Sequence, residues 1–218
     1  VERSQTALLA GASGLVGGHL LDLLLDGTDP SQVVSLGRRA LPRTHPKLTQ
    51  RTVDFARLDD PPLPPADVAF CCLGTTIKRA GSQAAFRAVD HDAVVAFGTA
   101  AKAAGVRHFL VVTALGADAR ASVFYNRVKG EVENSLRALG FDALTIAQPS
   151  LLLGDREESR PAEHAAVVVS RALAPVLGWL PSRPIEARTV ALALVRLAKT
   201  AQPGVRVVKN DELHALAR

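Results

Sequence analysis

Short, almost wholly apolar runs alternate along this chain with longer stretches whose apolar residues recur at helical spacing. The runs at 6–10 (TALLA), 32–36, 50–53, 67–73 (DVAFCCL), 108–113 (HFLVVT) and 143–147 predict strands, and 205–208 is a candidate last one. Between them, residues 15–25, 90–104, 122–139 and 188–200 carry the three-to-four-residue period of helices. Gly105 and Gly140 stand where two of these helices should stop. Strands apolar on both faces and spaced by helices call for a parallel sheet covered on both sides. The predicted fold is therefore α/β, a doubly wound parallel sheet in a single domain over residues 1–218. Past Pro149 the strand–helix rhythm fades, and residues 150–187 are expected to form a small C-terminal lobe within it. The proline-rich stretch at 59–65 reads as a stiff loop between strands, the alternative being a PxxP ligand.

Composition narrows the class. Hydrophobic residues make up 48% of the chain, enough for a core without disulfides or metal. Both cysteines, Cys71 and Cys72, are adjacent, and bridging them would close a strained ring; free thiols at a buried strand end are expected, in a reducing compartment. The most apolar stretch, 165–180, is interrupted by Arg171, Pro175 and Gly178, so no membrane span is expected. The first residues lack the apolar core of a signal peptide, and the expectation is a cytoplasmic protein. A net charge of +5 raises nucleic acid as a partner. The basic residues are dispersed, with no run of five or more, so nucleic-acid binding is not expected and a phosphate-rich ligand suits the charge better. The six histidines show no metal-ligand spacing.

The first predicted strand runs into Gly11-Ala12-Ser13-Gly14-Leu15-Val16-Gly17 and then a helix. Glycines at this spacing, between a strand and a helix, are the phosphate-binding turn of a dinucleotide fold. Gly11 permits the tight turn, Gly14 admits the pyrophosphate close to the backbone, and Gly17 lets helix and strand pack. The helix N-terminus offers free N–H groups and the positive end of its dipole. Where an NAD site places an acidic residue after the second strand, this chain has Gly37-Arg38-Arg39. Two guanidinium groups there match a ribose 2′-phosphate, so the expected cofactor is NADP(H). Asp54, after the third strand, is a candidate contact to the adenine amino group.

Tyr125 and Lys129 lie four residues apart on a predicted helix, hence on one face. A free phenol, with pKa about 10, is a poor acid or base at neutral pH, and a neighbouring ammonium favours its phenolate. Such a pair can give or take a proton at a carbonyl or hydroxyl. Tyr125 is the only tyrosine in the chain.

With these residues in place, the chain resembles the atypical short-chain dehydrogenases/reductases, and more narrowly the Tat-interactive-protein oxidoreductase family. The matching segments are Gly11 to Gly17, Cys72-Leu73-Gly74-Thr75-Thr76, Tyr125 with Val128-Lys129-Gly130-Glu131-Val132-Glu133, and Asp155-Arg156-Glu157-Glu158-Ser159-Arg160-Pro161. The resemblance implies Tyr125 as acid/base and Lys129 as the group that lowers its pKa and holds the nicotinamide ribose. It implies Leu73, Gly74 and Thr75 lining the cofactor, and Pro149 and Ser150 near the carboxamide. It also implies Thr113 as the hydroxyl member of the catalytic set, although the usual pair of hydroxyls reads Thr113-Ala114 here. The lobe at 150–187 would be the substrate side. Arg156 and Arg160 are candidates there for an anionic substrate, with helix-capping or loop ion pairs as the alternative, and Trp179 reads most simply as a packing residue, the alternatives being a substrate pocket or a dimer contact.

Two functions follow. One is an NADP-dependent oxidoreductase acting on a small carbonyl or alcohol, with Thr113, Tyr125 and Lys129 as catalytic residues. The other is a non-catalytic NADP(H) sensor or scaffold, suggested by Ala114. The long amphipathic helix carrying Tyr125 leaves a homodimer open, since in this superfamily it often packs against a partner.

Overall fold

The computed structural model describes residues 5–58, 61–154 and 182–218. Strand β1 (Thr6–Ala10) leads into helix α1 (Leu15–Asp26) and strand β2 (Gln32–Gly37), followed by β3 (Leu48–Thr52) and β4 (Val68–Cys71). Two short helices, α2 (Ile77–Ala80) and α3 (Gln83–Arg87), follow; α3 continues through a wider π turn, Ala88–Asp92, into α4 (Ala93–Ala103). The chain continues through β5 (His108–Val112), α5 (Phe124–Ala138), β6 (Ala143–Gln148), β7 (Leu152–Leu153) and β8 (Ile185–Glu186). It finishes with α6 (Ala187–Lys199), β9 (Gly204–Lys209) and α7 (Asn210–Leu216).

Seven strands form one sheet in the order β3-β2-β1-β4-β5-β6-β9, each pair parallel. The chain builds outward from β1 to β3, then returns to the other side of β1 at β4. That reversal opens a crevice outside the carboxyl ends of β1 and β4, where ligands of such sheets bind. The predicted doubly wound architecture is the observed one.

The two-residue period of the strands sorts their side chains between two cores. Ala7, Leu9, Val33, Phe70, Leu110, Ala147 and Val208 pack with α1, α6 and α7 on one face. Leu8, Ala10, Val34, Ala69, Val111, Leu144 and Ile146 pack with α4 and α5 on the other, around Phe97, Phe109 and Phe141. Those rings meet at centroid distances of 5.6 Å (Phe97–Phe109) and 4.9 Å (Phe109–Phe141).

The helix expected at 90–104 begins as far back as Gln83 and is interrupted by the π turn around Asp90. Its end agrees with expectation: Gly105 adopts φ +85, and Val106 N–H closes on the Ala101 carbonyl at 3.1 Å. Helices α2, α3 and α7 are too short for a periodic signal and were not anticipated. Of the lobe expected at 150–187, the described part contributes a two-stranded parallel pair, Leu152↔Ile185 and Leu153↔Glu186. Arg156, Arg160, Trp179 and the segment Asp155 to Pro161 lie outside the described residues.

His108 begins β5 with its ring buried and its Nε2 2.9 Å from the Thr145 hydroxyl. Burial pulls its pKa down from 6.5 to about 4. A folded state that holds this imidazole neutral binds fewer protons than the unfolded chain below the ordinary value. The stabilisation is complete above pH 6.5 and is lost as pH falls toward 4. Urea melts of His108→Gln against the parent should converge in that window, the variant losing less stability on acidification.

Candidate functional site

The glycine turn is built so tightly that side chains are excluded. Gly11 has φ +90, and a Cβ on it would stand 2.5 Å from the Cys72 carbonyl carbon, so the turn after β1 lies directly against the chain leaving β4. A Cβ on Gly17 would meet the Gly11 carbonyl oxygen at 2.1 Å. Gly14 N–H donates to that same carbonyl at 2.9 Å, closing the turn. Ser13 and Gly14 are exposed, Leu15 is half-buried, and Val16 is fixed in the core. No side chain caps α1 and its first turn holds no acidic residue, so its N-terminal N–H groups face the crevice uncompensated.

Arg38 and Arg39 follow β2 directly and are exposed. Asp54 follows β3 and is held beside them, because Val53 N–H donates to the Gly37 carbonyl at 2.9 Å. One Asp54 oxygen accepts from Ala56 N–H at 3.0 Å and the other faces Arg57 at 3.7 Å.

Leu73, Gly74 and Thr75 follow β4; Leu73 and Thr75 are half-buried and Gly74 is exposed. Helix α5 brings in Tyr125 and Lys129. The Tyr125 ring leans on the buried Phe86 at a centroid distance of 5.6 Å, and Lys129 Nζ lies 5.9 Å from the Tyr125 ring centre. Lys129 is itself buried, and its ammonium stands 2.7 Å from Asp90 Oδ1. That contact is an ion pair rather than an aligned hydrogen bond, for Oδ1 accepts none. The other carboxylate oxygen accepts from Thr75 N–H at 2.8 Å. Burial opposes the Lys129 charge, but the Asp90 carboxylate and then Tyr125 favour it, and the balance raises its pKa.

Thr113, one residue past β5, is buried. Its Oγ1 donates to Glu133 Oε1 at 2.7 Å, and Gln148 Nε2 donates to the same oxygen at 2.9 Å. The buried carboxylate of Glu133 thus ties α5 to the ends of β5 and β6. Ala114, next along, is buried and carries no hydroxyl. Pro149 is buried beyond β6. Ser150 is tied down as well: its N–H donates to Asn210 Oδ1 at 2.9 Å and its hydroxyl to the Arg183 carbonyl at 2.5 Å.

The cysteines agree with a packing role, since burial pushes the Cys71 thiol up to about 12 and Cys72 higher still. No cluster able to hold a metal occurs among the described residues, and none of their helices is long and apolar enough to cross a membrane.

Asp90 and Glu133 are the two site residues that sequence reasoning missed. Asp90 carried a signal. It falls on the stripe Phe86, Val94, Phe97 and Ala101, all buried, where an apolar residue would otherwise be expected.

Residues 11–201 match the NAD(P)H-binding family. The chain is 41% identical to rat (Rattus norvegicus) Protein HTATIP2 over 169 residues, 75% of this chain and 69% of that protein. It is 34% identical to Protein FMP52, mitochondrial, of Eremothecium gossypii over 225 residues, 97% of each. Fungal relatives of that name, also from Coccidioides immitis and Emericella nidulans, are mitochondrial by name, and this overturns the expectation of a cytoplasmic protein. Among solved structures, MoeE5 in complex with UDP-glucose and NAD superposes with a TM-score of 0.69 at 18% identity, over 97% of this chain and 80% of that one. A UDP-N-acetylglucosamine 4-epimerase from Methanobrevibacter ruminantium M1 gives 0.70 at 18%, over 95% and 77%. At that identity the likeness speaks for the fold. The chain belongs to the NAD(P)H-binding family and is an atypical short-chain dehydrogenase/reductase-like protein resembling HTATIP2.

Proposed function

We propose that this protein is an NADP(H)-dependent oxidoreductase that moves a hydride between the nicotinamide and a small carbonyl or alcohol. The observation that carries the reading is the pairing of Tyr125 with a buried, charged Lys129 on one face of α5, at the crevice that also holds the glycine turn. The residues present fit a dinucleotide. Gly11 and Gly17 form a cradle that a Cβ would fill. When bound, the nicotinamide supplies or accepts the hydride.

The chain's own residues do the rest. The Tyr125 hydroxyl gives its proton to the carbonyl oxygen in reduction and recovers it in oxidation. Lys129 holds positive charge beside the phenol and has donors left for the nicotinamide ribose. The uncapped N–H groups at the start of α1 would receive the pyrophosphate. Arg38 and Arg39 bind the 2′-phosphate, and Asp54 the adenine amino group. Leu73, Gly74 and Thr75 flank the cofactor, with Pro149 and the backbone of Ser150 near the carboxamide.

A calorimetric titration with NADPH and then NADH tests the reading. NADPH should bind the more tightly. Arg38→Ala or Arg39→Ala should weaken NADPH by about 10- to 100-fold, the loss of a charge-assisted contact, and leave NADH unchanged. Equal affinity for the two nucleotides would remove the NADP assignment.

One observation favours a second reading. Thr113 spends its hydroxyl on Glu133 and Ala114 has none, so no described hydroxyl from the end of β5 stands free to assist Tyr125. A protein that binds NADP(H) and signals its occupancy without turnover accounts for that arrangement.

A further inference from the structure

An enclosed ammonium tends to lose its proton, because burial in a poorly polarisable interior disfavours charge. Lys129 is enclosed in this way, yet the surrounding groups keep it charged. Three titratable groups face it: Asp90 from the π turn, Tyr125 from the preceding turn of α5, and Cys71 from the end of β4. Only Asp90 touches it, at 2.7 Å, and Asp90 is itself buried, at 1% exposure. The carboxylate is immobilised in turn by Thr75 N–H at 2.8 Å, so it bridges the loop after β4 to α5. Asp90 stands within the π turn, and such turns favour functional positions. Gly74, itself exposed, lies against the buried pair: a Cβ there would stand 3.4 Å from Asp90 Oδ1 and 3.8 Å from Lys129 Nζ.

We propose that Asp90 is the positioning residue of this site, a fixed counter-ion that keeps Lys129 charged and stationed between the β4 loop and Tyr125. The role of the pair in cofactor binding rests on the oxidoreductase reading; the electrostatic coupling does not. Without the carboxylate, burial dominates and the Lys129 pKa falls.

The test uses the cofactor-free protein, so its outcome is independent of any turnover or nucleotide preference. The ¹⁵Nζ resonance of Lys129 reports its charge directly. In Asp90→Asn the pH at which it changes from ammonium to amine should fall below that of the parent, and Asp90→Glu should restore it part of the way. A midpoint in Asp90→Asn that stays at the parent value would overturn the proposal, since a merely structural carboxylate would leave the charge on Lys129 untouched. The parent protein supplies a second measurement that no folding defect can obscure. The ¹⁵Nζ signal of Lys129, identified by its absence in Lys129→Met, should remain that of an ammonium at pH 10.5, where ordinary lysines are half neutral. A neutral Lys129 at that pH would overturn the proposal equally.

Discussion

Gly11→Ala is expected to abolish NADPH binding and to lower the stability of the fold by about 2–4 kcal/mol. Two costs combine. Left-handed backbone at φ +90 costs an alanine about 1–2 kcal/mol. The new Cβ would also sit 2.5 Å from the carbonyl carbon and oxygen of Cys72, which are main-chain atoms at the end of a central strand and have nowhere to retreat. Relief requires the turn after β1 to lift off β4, and that movement spoils the cradle. Gly105→Ala is the internal control: φ there is +85, but nothing lies within 4 Å of the added Cβ. It should lower the melting temperature slightly and leave NADPH affinity intact. Calorimetry and thermal melts on the two variants separate the general cost of the backbone conformation from the specific cost of the cradle. Normal NADPH affinity in Gly11→Ala would place the pyrophosphate elsewhere.

Tyr125→Phe is expected to cost about 10²- to 10⁴-fold in turnover of a carbonyl substrate while leaving NADPH affinity near that of the parent. The separation follows from the packing. The ring's contact with Phe86, at 5.6 Å, involves no hydroxyl and survives the change, as does the Lys129–Asp90 pair. What is lost is the proton donor at the reacting oxygen. Stopped-flow oxidation of bound NADPH by a panel of small aldehydes and ketones would measure it. Full turnover in the variant would remove Tyr125 from the chemistry. A parent protein that binds NADPH tightly but oxidises it with no substrate would bring the sensor reading forward, with Thr113 bound to Glu133 as its structural basis.

The parts of this site that were legible from the sequence are those whose meaning is local. TALLA followed by Gly11 to Gly17 is a strand, a turn and a helix start within one short segment, and the steric demand for glycine at 17 is made by the Gly11 carbonyl a few residues away. Tyr125 and Lys129 share a face because the helix repeats every 3.6 residues, whatever the helix packs against. The alternation of buried strands and amphipathic helices implied a parallel sheet for the same reason, since each element's period is its own.

What could not be read was every feature set by contact between distant segments. Asp90 lies on a helical stripe, and nothing in the run around it says that its partner is Lys129 rather than a surface arginine; the π turn and the packing of α5 against the β4 loop decide that. The family resemblance implies Thr113 as the catalytic hydroxyl, yet Glu133 from α5 accepts its hydrogen bond, and Gln148 from β6 donates to the same carboxylate oxygen. Ser150 is drawn away in the same manner by Asn210 and Arg183. A buried polar group must find a partner wherever the fold brings one within reach, and that choice is made in three dimensions, after periodicity has placed the elements.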